Sequence, residues 1–154
     1  MSKPSEIRCL VAPITGHQIL LPGSVVAEVI NYGDVQPFSN APDWILGELE
    51  WSGWKIPVIN YAVLTATSPD ATLSARSRIL VVKTLSMSSS INYVGIVING
   101  LPRLRNITPD ELIETGAKPA EGVFSEVTIE EQAALIPDLE SLANAVEDGA
   151  YASN

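Results

Sequence analysis

From Glu6 onward the chain is a succession of short apolar runs, each closed by residues that favour turns. Ile7, Cys9 and Val11 alternate with Arg8, Leu10 and Ala12, the period-two pattern of a strand. Residues 18–21 form a second run, stopped by Pro22-Gly23. Residues 25–30 form a third, stopped by Asn31-Tyr32-Gly33-Asp34, whose residue types tolerate left-handed backbone. Along the third run Val25, Ala27 and Val29 are expected on one face, with Val26, Glu28 and Ile30 on the other. Asn40-Ala41-Pro42-Asp43 leads into Trp44-Ile45-Leu46, read as a short helical turn. The apolar runs 46–51 and 54–60 are separated only by Ser52-Gly53, which predicts a tight hairpin with Trp51 and Trp54 facing each other. Pro57 has no N–H to give to a ladder, so its strand is expected at a sheet edge or with a bulge.

Residues 65–77 hold Ser, Thr, Pro, Asp and Ala with almost no bulky apolar residue and read as a long internal connection. A second set of strands follows at 79–85, 93–99 and 101–106, with a serine-rich loop after Leu85. Thr108-Pro109-Asp110-Glu111 has the form of a capping box with Pro at the first helical position. Val123, Ser125, Val127 and Ile129 alternate with polar residues, and the run 133–136 is expected to pair with them. Leu139, Leu142, Ala143 and Val146 recur at helical spacing behind Asp138, predicting an amphipathic helix over about 138–147, with 148–154 frayed. The chain thus reads as one mainly β (all-β) domain, 1–154, whose two strand groups form two small barrels or a split sandwich. The first group spans about 7–64 and the second about 78–136.

Composition narrows the functional classes. Fourteen Val and fifteen Ile among 154 residues reinforce the strand reading. With 46% apolar and 18% charged residues, disorder is excluded. One Cys and one His make neither an internal disulfide nor a Cys/His zinc site, and no motif for a cofactor is found. The N-terminus lacks the build of a signal peptide and no apolar run approaches a membrane span, so a cytoplasmic protein is expected. Net charge is −9, and its placement is uneven: residues 1–106 carry 8 basic and 7 acidic side chains, residues 107–154 carry 1 and 11. Without a basic stripe, nucleic acid is a poor partner, and an anionic membrane would repel the chain.

Catalytic patterns are scarce: no glycine-rich phosphate cradle and no nucleophile elbow. His17 sits in a turn, where solvation is the ordinary reading; Cys9 sits at an alternating strand position, as a buried structural thiol does. Asp110, Glu111 and Glu114 complement a helix N-terminus rather than form an acid/base pair. An enzyme would need a pocket near His17 or this acidic turn. What rises above background is Trp44, Trp51 and Trp54 within eleven residues, either a stabilising cross-strand pair or an exposed partner anchor.

Four segments in order carry a resemblance: Val25-Val26-Ala27-Glu28-Val29-Ile30; Ala41-Pro42-Asp43-Trp44-Ile45-Leu46-Gly47; Ser52-Gly53-Trp54-Lys55-Ile56-Pro57-Val58-Ile59-Asn60; and Val94-Gly95-Ile96-Val97-Ile98-Asn99-Gly100-Leu101. Together they resemble the CheW-like domain of bacterial chemosensory systems, most closely the ChpC-type proteins that accompany type IV pilus clusters. The resemblance implies two five-stranded SH3-like barrels with a C-terminal helix, and no catalysis. It implies an adaptor in chemotaxis or twitching-motility signal transduction. Its partners would be the cytoplasmic tip of a methyl-accepting chemoreceptor and the regulatory domain of a CheA-type histidine kinase of a two-component system. By position, Val26, Glu28, Gly95, Leu101 and Leu104 match the receptor-binding groove. Gly47, Ser52 and Gly53 match the partner-binding hairpin, which here also carries Trp44, Trp51 and Trp54. The family commonly has Arg where this chain has Ser52 and Asp where it has Asn60. Loss of that Arg leaves Glu28 free or differently paired and opens an alternative, a CheW-like scaffold or competitor that has lost kinase coupling.

Overall fold

The computed structural model describes residues 6–66 and 73–151. Eleven strands are described: β1 (Ile7–Ile14), β2 (His17–Pro22), β3 (Val26–Asn31), β4 (Ile45–Trp51), β5 (Trp54–Ile59), β6 (Arg78–Lys83), β7 (Tyr93–Ile98), β8 (Arg103–Ile107), β9 (Ile113–Glu114), β10 (Val123–Ile129) and β11 (Gln132–Pro137). Two α-helices join them, α1 (Tyr61–Leu64) and α2 (Leu139–Val146). The strands form a six-stranded sheet in the order β8-β1-β2-β11-β10-β9 and a five-stranded sheet in the order β3-β6-β7-β5-β4.

Alternation along the strands builds three cores rather than one. Cys9, Val11, Leu20, Ile107, Val127 and Ile129 fill the concave side of the six-stranded sheet. Leu49, Ile56, Val58, Ile79, Val81 and Val97 fill that of the five-stranded sheet. The opposite faces, with Leu10, Ala12, Ile14 and Ile19 from one sheet and Leu80, Val82, Val94 and Ile96 from the other, meet in a shared third core. Into it α2 lowers Leu142 and Val146, and α1 lowers Tyr61. The five-stranded sheet curls until its two edges meet: Trp51 on β4 donates its indole N–H to Glu28 on β3 at 3.0 Å. Across the six-stranded sheet, Arg105 on β8 pairs with Glu130 at the β10–β11 turn.

The sheets divide the chain differently from the expected halves, 7–64 and 78–136. The five-stranded sheet is drawn from 26–98, and the six-stranded sheet from 7–22 joined by 103–137. Alternation identifies strands but not their partners, and the joins are short. β2 meets β11 in parallel at Ile19 and Leu135; β5 meets β7 in parallel at Val58–Gly95 and Ile59–Ile96. The extra strand in the larger sheet is β9, only two residues long.

Other local expectations are corrected. Trp44 lies in a turn closed by Ile45 N–H donating to Pro42 at 3.0 Å, after which Ile45 and Leu46 are strand, not helix. β5 is an interior strand without a bulge at Pro57; the irregularity falls on β4 between Ile45 and Gly47. The missing Pro57 donor is tolerated because the β7 ladder begins one residue later, at Val58. Val25 belongs to a 3₁₀ turn rather than a strand face. Residues Glu147–Tyr151 continue α2 as a π-helical turn, against the fray expected from residue 148 onward. Tyr151 anchors it, donating to Glu48 at 2.5 Å and meeting Phe38 edge-on at 5.3 Å. The connection expected over 65–77 falls partly outside the described residues, at 67–72, as do 1–5 of the N-terminus and 152–154 of the expected fray. The capping box forms as read: Thr108 N–H donates to Glu111 at 2.6 Å, opening the turn Pro109–Glu111. Asp138 caps α2, accepting from Ser141 N–H at 3.0 Å.

Candidate functional site

Two surface features gather the residues singled out in the sequence. The first is a hollow of about 570 Å³ between the two sheets, lined by Ile7, Arg8, Leu10, Val26 and Leu104. It lies between β3, an edge of one sheet, and β8, an edge of the other, with Leu10 and Leu104 in register. Ile7 and Leu104 are half exposed, at 50% and 57%, so the walls present apolar side chains to solvent.

Of the five expected groove residues, only Val26 and Leu104 line this hollow. A register shift between Val26 and Glu28 breaks the alternation, so Val26 packs with Val29 on the shared core while Ile30 packs inside the curled sheet. Glu28 is held by Trp51, which supplies a neutral N–H donor next to the turn where the family commonly places Arg. Leu101 is exposed on a different hollow, with Arg76, Arg78 and Asn99. Gly95 is buried in β7, where a Cβ would meet Ile79 at 2.7 Å and Val58 at 3.4 Å. Its place in the site is therefore one of packing.

The second feature is the β4–β5 hairpin. Trp51 and Trp54 stand opposite each other in the ladder, as expected. Ser52 and Gly53 have φ of 48° and 81°, the two positive values of a type I′ turn, whose twist matches that of the flanking strands. Tyr93, which the sequence reading passed over as an ordinary strand residue, joins both indoles. Its ring lies 5.1 Å from Trp51 and 5.3 Å from Trp54, in the range of favourable aromatic pairs. Trp54 remains 45% exposed, and Leu85 beside the same hollow is 68% exposed. Trp44 is separate from this cluster; it packs on the shared core, and its carbonyl accepts from Asn60 N–H at 2.7 Å. Asn60, where the family commonly has Asp, caps α1 by accepting from Val63 N–H at 3.3 Å. Gly47 lets residues 35 and 36 lie against β4: a Cβ there would sit 2.3 Å from the Gln36 carbonyl oxygen.

The candidates for chemistry are placed without a reaction partner in view. Burial pushes the Cys9 thiol above its ordinary pKa, the opposite of a reactive thiolate. His17 borders a shallow hollow of about 390 Å³ with Pro13, Gly16, Gln18, Gln132 and Ala133. Its Nδ1 accepts from Gln18 N–H at 2.9 Å. No carboxylate or thiol lines that hollow.

Comparisons with known proteins bear on the fold and the family. A search of curated proteins returns no match. Among solved structures the chain is similar to the scaffolding protein TtCheW from Thermoanaerobacter tengcongensis, with a TM-score of 0.71 at 17% identity, covering 88% of this chain and 86% of that one. The CheW-like domain profile matches residues 8–147, nearly the whole chain. The chain therefore belongs to the CheW-like family, the non-catalytic scaffolds and adaptors of chemotaxis signalling.

Proposed function

We propose that this protein couples chemoreceptors to a CheA-type histidine kinase in the cytoplasm, seating a receptor's helical hairpin tip in the hollow between the sheets. The observation that carries the reading is the apolar wall shared by Val26 on edge strand β3, Leu104 on edge strand β8, and Leu10 and Ile7 on β1 beside it. An amphipathic helix docks by laying its apolar face into such a groove. Arg8 and Glu6 at its border would select charges on the incoming helix. The kinase's regulatory domain would dock on the hairpin, with Trp54 as its apolar anchor and Gly47, Ser52 and Gly53 fixing the hairpin's shape. Leu101 and Gly95 serve this reading only indirectly, the first from a neighbouring hollow and the second through packing. The Ala-Pro-Asp-Trp segment and the tryptophan hairpin favour a ChpC-type adaptor acting on type IV pili and twitching motility.

Titration calorimetry of the full chain with the kinase's regulatory domain, and separately with a receptor cytoplasmic fragment, tests the proposal. Saturable binding to both supports coupling. A specific observation favours a second reading: Glu28 is engaged by Trp51 rather than by the family's usual Arg. A scaffold without kinase coupling would bind the receptor fragment and leave the regulatory domain free.

A further inference from the structure

The loop between β6 and β7 is held by the C-terminal helix. Glu140 accepts from Met87 N–H at 3.2 Å and from the Ser88 hydroxyl at 2.5 Å. Seven residues on, Glu147 accepts from Ser90 N–H at 3.1 Å and from the Ser90 hydroxyl at 2.5 Å. Ser86 Oγ knits the loop internally, accepting from Ser88 N–H at 3.3 Å and Ser89 N–H at 3.0 Å. Hydrogen bonds to an ionised acceptor are stronger than neutral ones, and these hold both carboxyls below the usual range.

The clamped loop turns apolar side chains outward. Met87 is 95% exposed, and Leu85 is 68% exposed with φ at 54°, a conformation a leucine keeps only where its surroundings over-determine it. Leu85 lines a hollow of about 370 Å³ together with Trp54 and Tyr93, and among the described residues Lys83 is the one charged side chain on that lining. A loop that served merely to join two strands would gain nothing from a leucine and a methionine facing water. The placement gives continuity with the aromatic hairpin, and Lys83 sets the sign of what it meets.

We propose that Glu140 and Glu147 are positioning residues that fix this loop, so that Leu85 and Trp54 form one docking face for the kinase's regulatory domain. Such a face fits a partner surface on which apolar side chains surround a carboxylate, placed to meet Lys83. The inference rests on the kinase-coupling reading above and assigns that contact a second element and a support.

The test compares the wild-type chain with Glu140→Ala/Glu147→Ala and with Leu85→Ser, each titrated with the regulatory domain, and follows amide exchange by NMR. In the double variant, Met87 and Ser90 amides should exchange about tenfold faster while those of β7 keep their protection. Its Kd should rise about tenfold, and Leu85→Ser should raise Kd comparably with loop exchange unchanged. Faster loop exchange with an unchanged Kd overturns the docking role, and unchanged exchange overturns the clamp. Loss of β7 protection would mark an unfolded double variant, and Leu85→Ser then decides the docking role alone. A wild-type chain that does not bind overturns the coupling reading and the partner assignment together, which is distinct from binding that the variants leave intact.

Discussion

Glycines 47 and 53 lie in the same hairpin and offer a paired measurement that isolates close backbone approach from backbone conformation. Both have positive φ, 156° and 81°, so Ala at either site bears a conformational cost of about 1–2 kcal/mol. At Gly53 nothing lies within 4 Å of the added Cβ, so that cost stands alone. At Gly47 the Cβ would meet the Gln36 carbonyl oxygen at 2.3 Å and the Val35 side chain at 2.8 Å. A backbone oxygen cannot swing aside, so the 35–36 segment must lift from β4. Two hydrogen bonds go with it, Gln36 N–H to Glu48 at 2.9 Å and Glu48 N–H to Gln36 at 2.8 Å. At about 1 kcal/mol net for each bond, Gly47→Ala should cost about 3–4 kcal/mol in total, against about 1–2 for Gly53→Ala. For a chain of this size that corresponds to Tm losses of about 6–16 °C and about 2–8 °C. Urea unfolding followed by both tryptophan fluorescence and circular dichroism gives the two values, with equal m-values as the check on two-state behaviour. Costs for the two variants within about 0.5 kcal/mol of each other would refute the reasoning, because close approach would then contribute nothing beyond φ.

Three further outcomes follow from the geometry. The β10–β11 turn places Glu130 and Glu131 at φ of 50° and 67°, so Glu131→Gly should stabilise the chain by about 1 kcal/mol, read as a rise in the urea midpoint. Tyr61 is buried and donates to the Gly122 carbonyl at 2.7 Å, a carbonyl that also accepts from Asp138 N–H, so Tyr61→Phe should cost only about 1 kcal/mol. Burial first, and the nearby Asp138 second, raise the Tyr61 pKa far above its ordinary 10.0. The folded state therefore keeps this proton where the unfolded chain loses it, stability falls as pH rises above 10, and Tyr61→Phe should remove that part of the alkaline loss. Finally, Trp51→Phe removes the donor to Glu28 while keeping the ring contact with Tyr93; it should lower stability by at most about 1 kcal/mol, read from the urea midpoint, and leave receptor-fragment binding unchanged by calorimetry, since neither residue lines the hollow between the sheets.

Much of this molecule was legible in its alternation. The strands, the Trp51–Trp54 register, the capping box at Thr108 and the helix behind Asp138 all follow from local spacing and residue type. Partner choice was not legible, because a period of two is the same whichever strand lies alongside, and the decisive parallel joins involve one or two residue pairs. The bulge between Val26 and Glu28 was equally hidden: it separates two residues that simple alternation puts together. Tyr93 has no signal beyond a strand start, and its role comes from a fold that carries β7 beside β5. Glu140 and Glu147 match no motif in the sequence, although their seven-residue spacing and the serine-rich loop are both visible there. Joining the two required knowing that α2 passes over that loop.

The interleaving of the two sheets has a consequence for synthesis. As the chain emerges from the ribosome, every strand of the five-stranded sheet has appeared once Ile98 is made. The hairpin of β1 and β2, first out, has by then no neighbour on either flank, since β8 and β11 are still to come. Its buried face, with Cys9, Val11 and Leu20, stays wet until the acidic last third arrives to cover it. The smaller sheet is thus a body that vectorial folding can finish early, and the larger one is a closure that waits for residues 103–137.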